Sequence, residues 1–408
     1  MPHTVDRIHA INFSGRRPVV LTFLHRYLPA FRSGGPVRTV ANMVAALGDE
    51  FDFRIVTADR DEQEKAPFPG IAVNSWNDVG KAQVYYAPPR AIGLRNWGRL
   101  LRQTPHDVLY LNSLTDPRFT LLPLLVQSLS RGKRRPVVLA PRGELSPGAL
   151  ALKRRKKAVF LSVAQMIGLY RDVIWHASTA EEASLIRQHF GQEVRCFVAG
   201  NLSIGAFLET PETRHAWSGE RPLRLVFFSR ISRKKNLEFA LRVLRGCNRP
   251  IQFDVWGIME DPAYWQECQG LCGVLPAGIR VEYRGEAEPA QVLHILASYD
   301  LFFLPTRGEN FGHVIAEVLA AGTPVLISDQ TPWRDLEREG VGWDLPLEGN
   351  EAGFVDAIEN AAARWKAEGA TWRRQVRAYA ERKLGDPEII EANRRMFCEA
   401  IALGKPAR

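Results

Sequence analysis

Four charged side chains in the second half of the chain have the types and spacing to hold an anion beside a ligand rich in hydroxyls. Arg230 and Lys235 lie five residues apart in SRISRKKN, Ser229 to Asn236, directly after an apolar run. Across a tight strand-to-helix turn, a guanidinium fork and an ammonium point charge can clamp a diphosphate. Farther on, DLFFLP (Asp300 to Pro305) leads into TRGENFGHVIAEVLAAG, where Asn310 is expected to cap a helix from about Gly312 to Ala321, closed by Gly322 and Pro324. Helix N-termini at the carboxyl ends of strands offer free N–H groups and a positive dipole end to phosphate. Glu309 sits at that point. Glu317 follows eight residues later, about 80° round and two turns along a helix, so it lines the same side. Ionised carboxylates there accept hydrogen bonds from sugar or ribose hydroxyls. The plainer alternatives are a solvated basic turn and a Glu309 that merely favours the helix start.

The first half offers a different constellation. Gly34 and Gly35 precede Pro36 after the apolar run PVVLTFL. Small residues at such a turn let backbone approach a ligand and leave helix N–H groups available, although a Gly-Gly turn also serves chain reversal alone. The strand PVVLAP leads into RGELSPGALALKRRKK. Its last five residues, Lys153, Arg154, Arg155, Lys156 and Lys157, open an apolar stretch that reads as a helix. They are either the solvated start of a core helix or a patch for an anionic leaflet, where each basic residue contributes about 1 kcal/mol.

These residues need strands and helix starts to carry them, and the pattern supplies both. Short β-branched and aromatic runs alternate with amphipathic stretches, the mark of βα units on a parallel sheet. The runs are PVVLTFL, FRIVTA, AQVYYA, DVLYLN, PVVLAP and VIWHAS in the first half. In the second they are LRLVFFS, IQFDVWG, RVEYRG, DLFFLP and PVLISD. Between the halves, Glu209 to Pro222 is polar, carries two prolines and lacks periodicity, so it reads as a linker. The fold class is therefore α/β, with two doubly wound, Rossmann-like domains over residues 1–208 and 209–386 and a final helix from Pro387 to Leu403 within 387–408. A length of 408 residues agrees, since single cores stop growing at roughly 250–300.

Arg230 and Lys235, followed by Glu309 and Glu317 in ENFGHVIAE, resemble the donor site of family 4 retaining glycosyltransferases of the GT-B fold, and the resemblance covers nearly the whole chain. It implies a cleft between the two domains, a sugar moved from a nucleoside diphosphate sugar to a hydroxyl of a glycan or lipid-linked acceptor, and a place in cell-surface polysaccharide or glycolipid synthesis. Glu317 would contact the donor ribose, and Glu309 with the backbone of Asn310, Phe311 and Gly312 would hold the transferred sugar. Arg230 and Lys235 would neutralise the diphosphate without an obligatory metal or cofactor, so Arg230, Lys235 and Glu309 form the expected catalytic set. Gly257, Gly285 and Glu286 at strand ends would line the nucleotide pocket, and Gly34 and Gly35 would lie against the donor phosphates. Where many members carry His-Gly, this chain has Arg142-Gly143. Arg142 would then stabilise leaving-group charge or anchor the loop through an ion pair, and Glu144 would orient the acceptor hydroxyl. The final helix would return to the first domain.

Composition narrows the alternatives. Basic residues exceed acidic ones by 54 to 45, yet Arg131 to Lys157 holds ten bases and one acid, which leaves 44 of each sign elsewhere. Extended nucleic-acid contact is therefore not expected; the local excess points to one anionic contact. A glycoside hydrolase would also use paired carboxylates, but it needs no diphosphate clamp. A dinucleotide-dependent oxidoreductase lacks its G-x-G-x-x-G after either first strand. A non-catalytic sugar-nucleotide-binding protein stands as the alternative. Five cysteines, with only Cys268 and Cys272 close together, predict a reducing compartment and no metal site. No apolar run is long enough for a membrane span, so the expected location is cytoplasmic, with peripheral attachment to the inner leaflet as the variant the basic run allows.

Overall fold

The computed structural model describes residues 15–404 except 31, 33, 63, 130–133, 152–153 and 204–216; of residues 147, 151 and 154–158 it gives the backbone only. The chain divides into two units, Met1–Ile204 with Pro387–Arg408, and Gly205–Asp386. Of the linker expected from Glu209, residues 209–216 lie outside the described ones. Lys153 does as well, along with the side chains of Arg154 to Lys157.

The first unit is built on strands β1 (Val19–Phe23), β2 (Asp52–Ala58), β3 (Trp76–Val79), β4 (Ala82–Ala87), β5 (Val108–Asn112), β6 (Val137–Ala140), β7 (Val173–Ala177) and β8 (Cys196–Val198). Its helices are α1 (Gly35–Leu47), α2 (Leu94–Gln103), α3 (Leu122–Leu129), α4 (Pro147–Ala151), α5 (Arg154–Met166) and α6 (Ala180–Phe190). The sheet order is β3-β4-β2-β1-β5-β6-β7-β8, parallel except for the β3–β4 pair. Because successive side chains alternate faces, the continuous apolar runs bury both sides. Val20, Phe53, Tyr86 and Tyr110 enter one core, and Leu21, Phe23, Leu109 and Leu139 enter another. A parallel sheet requires that double cover. The second core is roofed by α2, α3 and α5.

The second unit carries β9 (Leu223–Phe228), β10 (Ile251–Trp256), β11 (Ile279–Gly285), β12 (Leu301–Leu304), β13 (Val325–Ser328) and β14 (Gly342–Leu345). Helices α7 (Leu237–Arg245), α8 (Pro262–Cys272), α9 (Val292–Ala297), α10 (His313–Ala320), α11 (Glu351–Glu368) and α12 (Ala370–Leu384) alternate with or follow them. The order β11-β10-β9-β12-β13-β14 is wholly parallel. The last helix, α13 (Pro387–Leu403), belongs to the first unit. Its Phe397 meets the ring of Tyr110 edge-on at 5.3 Å and those of Phe51 and Phe53 at 5.6 and 6.0 Å, and Asn393 donates to the Gly200 carbonyl at 2.9 Å.

All eleven expected strands are present. Three more, β3, β8 and β14, are short pieces that do not announce themselves as apolar runs. In each sheet the first strand of the unit sits inside: the chain winds outward on one side, then returns to the other. Those reversals, between β1 and β5 and between β9 and β12, are where open α/β sheets form ligand crevices at the strands' carboxyl ends.

Candidate functional site

The β9/β12 reversal is where Lys235 and Glu309 meet. The chain leaves β9 through Ser229–Asn236 and re-enters a helix at α7; Asn236 takes the left-handed conformation (φ 61°) and donates to the Pro305 carbonyl at 3.0 Å. That bond and Arg307 N–H to Lys234 O at 2.8 Å lace the post-β9 turn to the post-β12 loop. The Lys235 ammonium thereby forms an ion pair with Glu309, their side chains 10% and 11% exposed. Glu309 is fixed from the other side by its own N–H on the Gln330 carbonyl at 2.9 Å. Burial is the largest influence on its carboxyl and pushes the pKa up, but Lys235, by charge and hydrogen bond, with Lys234 and Thr306, overrides it and holds the group below its ordinary value.

The remaining expected donor residues divide by place. Gly312 is itself the N-cap of α10, left-handed at φ 79°. No side chain caps this helix, which corrects the expectation for Asn310: a glycine able to take positive φ ends the loop, so a polar cap is not what starts the helix. Phe311 packs on Trp333 at 5.7 Å, and the Trp333 indole donates to the Phe311 carbonyl at 2.6 Å, which stiffens the loop. Glu317 lies half-buried on α10. Arg230 stays at the surface and pairs with Glu260 at 2.7 Å, so the turn aims its two expected cations at different carboxylates. Gly257 donates its N–H to Gly285 O at 2.8 Å, and its φ of 137° and the Ser229 carbonyl pressed against it exclude a side chain. Gly285 and the exposed Glu286 end the edge strand β11, away from the β9/β12 reversal.

At the β1/β5 reversal of the first unit, Gly34 caps α1 with φ 73° and ψ −143°, a glycine region, and Gly35 opens the helix. Arg142 and Gly143 follow β6, both at positive φ (55° and 78°). The Arg142 guanidinium turns inward: Nη1 donates to Asn201 Oδ1 at 2.7 Å, Nη2 to Tyr110 Oη at 2.5 Å and to Asn112 Oδ1 at 2.8 Å, and Nε to Asn112 Oδ1 at 3.1 Å. Four of the five donor hydrogens of an arginine are thus used, and on neutral groups, so the anchor is a hydrogen-bonded strut and no ion pair. The strut continues into the core. His176 Nε2 donates to Ala199 O at 2.9 Å, which leaves Nδ1 to accept from Tyr110 at 2.8 Å. Burial first, then the Arg142 charge, lowers the His176 pKa to about 3, so the ring stays neutral. Gly143 N–H donates to Glu182 at 2.6 Å. Glu144 accepts from Ser113 and Thr115 hydroxyls at 2.5 and 2.6 Å and from Leu114 and Thr115 N–H at 3.2 and 3.0 Å. Those four bonds occupy the carboxylate, which makes Glu144 a brace of the post-β5 loop.

One pair went unnoticed in the sequence. His25, just past β1, pairs through Nδ1 with Asp116 from the post-β5 loop at 3.0 Å and stacks on Phe119 at 5.2 Å. Burial presses the Asp116 pKa up, but His25 and the Phe119 and Arg118 amides hold it below its ordinary value. A histidine directly after a buried first strand was the available signal; its partner, on another strand, gave none.

The fold defines the class: an α/β protein of the GT-B fold. Residues 210–379 match the family described as Glycosyl transferases group 1. A phosphatidyl-myo-inositol mannosyltransferase of Mycobacterium leprae (strain TN) is 34% identical over 129 residues, 31% of this chain and 33% of that protein. The chain thus matches about a third of that curated relative's length. Among solved structures, Anabaena HepE in complex with UDP and glucose aligns with a TM-score of 0.66 at 16% identity, over 95% of this chain and 100% of that one. WaaG, a glycosyltransferase involved in lipopolysaccharide biosynthesis, aligns with a TM-score of 0.61 at 13% identity and the same coverage.

Proposed function

We propose that this chain is a retaining glycosyltransferase of family 4 that moves a sugar from a nucleoside diphosphate sugar to a hydroxyl of a glycan or lipid-linked acceptor, in cell-surface polysaccharide or glycolipid synthesis. The observation that carries the reading is the Lys235–Glu309 pair at the β9/β12 reversal, made by the residues that fit the family's diphosphate turn and its Glu, seven residues, Glu spacing. In the reaction the bond from the anomeric carbon to the diphosphate oxygen breaks, and its electron pair leaves with the diphosphate. The acceptor oxygen takes that carbon on the same face, and its proton passes to the departing phosphate. Lys235 and Arg230 hold the developing negative charge, Glu309 and the loop behind it orient the sugar, and Glu317 takes the ribose. The reading includes no resident metal.

The acceptor side falls to the first unit. HepE is described with UDP and glucose, the mycobacterial relative as acting on phosphatidyl-myo-inositol, and WaaG as serving lipopolysaccharide synthesis; together they favour a nucleotide-sugar donor and an amphipathic acceptor. Attachment to the inner leaflet is supported by α5, which begins inside the basic run and exposes Val159, Val163, Met166 and the adjoining Ile167 by 64%, 45%, 79% and 64%. Their spacing makes one helical stripe. No helix among the described residues is long and apolar enough to cross a membrane.

A thermal-shift screen of UDP, GDP and their sugars tests the donor site. Stabilisation by one of them is expected in the unmodified chain and strongly reduced in Lys235→Ala and Glu317→Ala. Stabilisation by none, or stabilisation that survives both substitutions, removes the assignment.

A further inference from the structure

We infer that the cavity between α2 and α3 is a binding site for a single-chain anionic amphiphile that carries a hydroxyl beside its charged head. The cavity has a volume of about 370 Å³, within the roughly 300–1,000 Å³ of small-molecule sites. It lies at the amino-terminal edge of the sheet, since His106 and Arg135, which line it, stand just before β5 and β6. The carboxyl ends of β1 and β5 are at the other edge, and the inference rests on neither the donor site nor sugar transfer.

The wall makes three separate demands on a ligand. Leu94, Val126 and Leu129 form its apolar side, and Leu94 and Leu129 are left 42% and 65% exposed; an alkyl chain laid along them would take that surface out of water. Arg102 and Arg135 line the same cavity, and neither makes an ion pair among the described residues. Arg135 acts by charge on Asp107, but that carboxylate is already held bidentately by Arg16, so the two guanidinium groups still call for an anion, with phosphate the best geometric match.

The third demand comes from His106, only 7% exposed. Its Nδ1 lies 2.7 Å from the Thr104 carbonyl oxygen, so that nitrogen carries the hydrogen and Nε2 is an acceptor. Burial above all lowers the pKa of the ring, which keeps it in that neutral form. Nε2 is buried and has no hydrogen-bond partner. Buried acceptors are nearly always satisfied, because an orphan forfeits its hydration, and a ligand hydroxyl would supply the missing donor. Alkyl chain, phosphate and adjacent hydroxyl coexist in a monoacylglycerol phosphate, taken up free or from a bilayer.

The test titrates the full chain calorimetrically with 1-octanoyl-glycerol 3-phosphate below its micellar concentration. Parallel titrations use octyl phosphate, mono-octanoylglycerol and glycerol 3-phosphate, which lack the hydroxyl, the phosphate and the chain in turn. One saturable site is expected, at least tenfold tighter for the complete probe than for each of the three. Val126→Trp, which fills the cavity, and the surface double variant Arg102→Glu with Arg135→Glu should each abolish binding. His106→Leu should weaken the complete probe but not octyl phosphate. Competition by phosphatidate vesicles that the double variant loses would assign the site to bilayer lipid, and its absence would assign it to a free ligand; both uphold the site. No saturable binding of the complete probe, equal binding by the three truncated probes, or binding unchanged in Val126→Trp and in the double variant overturns it.

Discussion

Lys235 has two suitors, Glu309 in the structure and the donor diphosphate in the proposed reaction. With both side chains about nine-tenths buried, removing one partner of the pair strands the other charge. This sets opposite signs for two substitutions that a general loss of folding would not separate. Glu309→Gln keeps the shape of the side chain and leaves the ammonium without its counter-ion, so UDP should bind about tenfold more tightly, or about 1.4 kcal/mol, by re-neutralising it. The same variant should lose about 100-fold in transfer rate, because the sugar loses a hydrogen-bonding carboxylate. Lys235→Ala should weaken UDP instead, by about 100-fold, or about 2.7 kcal/mol. Calorimetric titration with UDP reads both, and weakening in both variants would remove the competition from the account.

At the scale of elements, the first unit depends on a helix that follows the whole of the second in sequence. Phe397 of α13 is fully buried among Phe51, Phe53 and Tyr110, and Phe397→Ala should cost about 3–5 kcal/mol, as large-to-small changes in a core do. Urea unfolding followed by hydrogen exchange of β2 and β5 checks it: those strands should lose protection, and β9 and β12 should lose less. The helix itself was legible, since Pro387 opens a periodic segment, and so were the eleven strands written as β-branched and aromatic runs, including the edge strand β11, whose one face stays exposed. What escaped has a common cause. β3 pairs antiparallel at an edge, β8 spans only Cys196–Val198, and β14 begins at a glycine; none needs a continuous apolar run. The Lys235–Glu309 pair was readable because each member sits in a local motif. The Arg142 strut was not, because Tyr110, Asn112 and Asn201 reach it from other loops and strands, and only the fold makes them neighbours. Asn310 misled for a local reason, as the left-handed Gly312 does the work assigned to a polar cap.

Across the whole molecule, the two units keep their critical titrating groups in different pH windows. His176 in the first unit has a folded pKa of about 3, against about 6.5 for an unfolded histidine. A depressed value means that the unfolded chain takes up the proton first. The stability tied to the neutral ring is therefore complete above about pH 6.5 and is lost as pH falls, by about 1.4 kcal/mol per unit until the folded ring also protonates. His106, in the same unit, shifts in the same direction, with burial the largest cause. In the second unit the Glu309 carboxyl is held below its ordinary value, so its contribution stays complete down to about pH 4.5 and is lost only below that. Acidification from pH 7 to 5 should then weaken the first unit by about 2 kcal/mol through His176 alone, roughly a thirtyfold loss of amide protection in β5 and β7, with β9 and β12 changing far less. Hydrogen exchange at the two pH values, corrected for intrinsic rates, measures the difference. His176→Gln removes the titrating ring, so the selective loss in β5 and β7 should shrink to what His106 supplies; an unchanged loss in that variant, or an equal loss in both units, would place the acid sensitivity outside the buried Tyr110–His176–Arg142 chain.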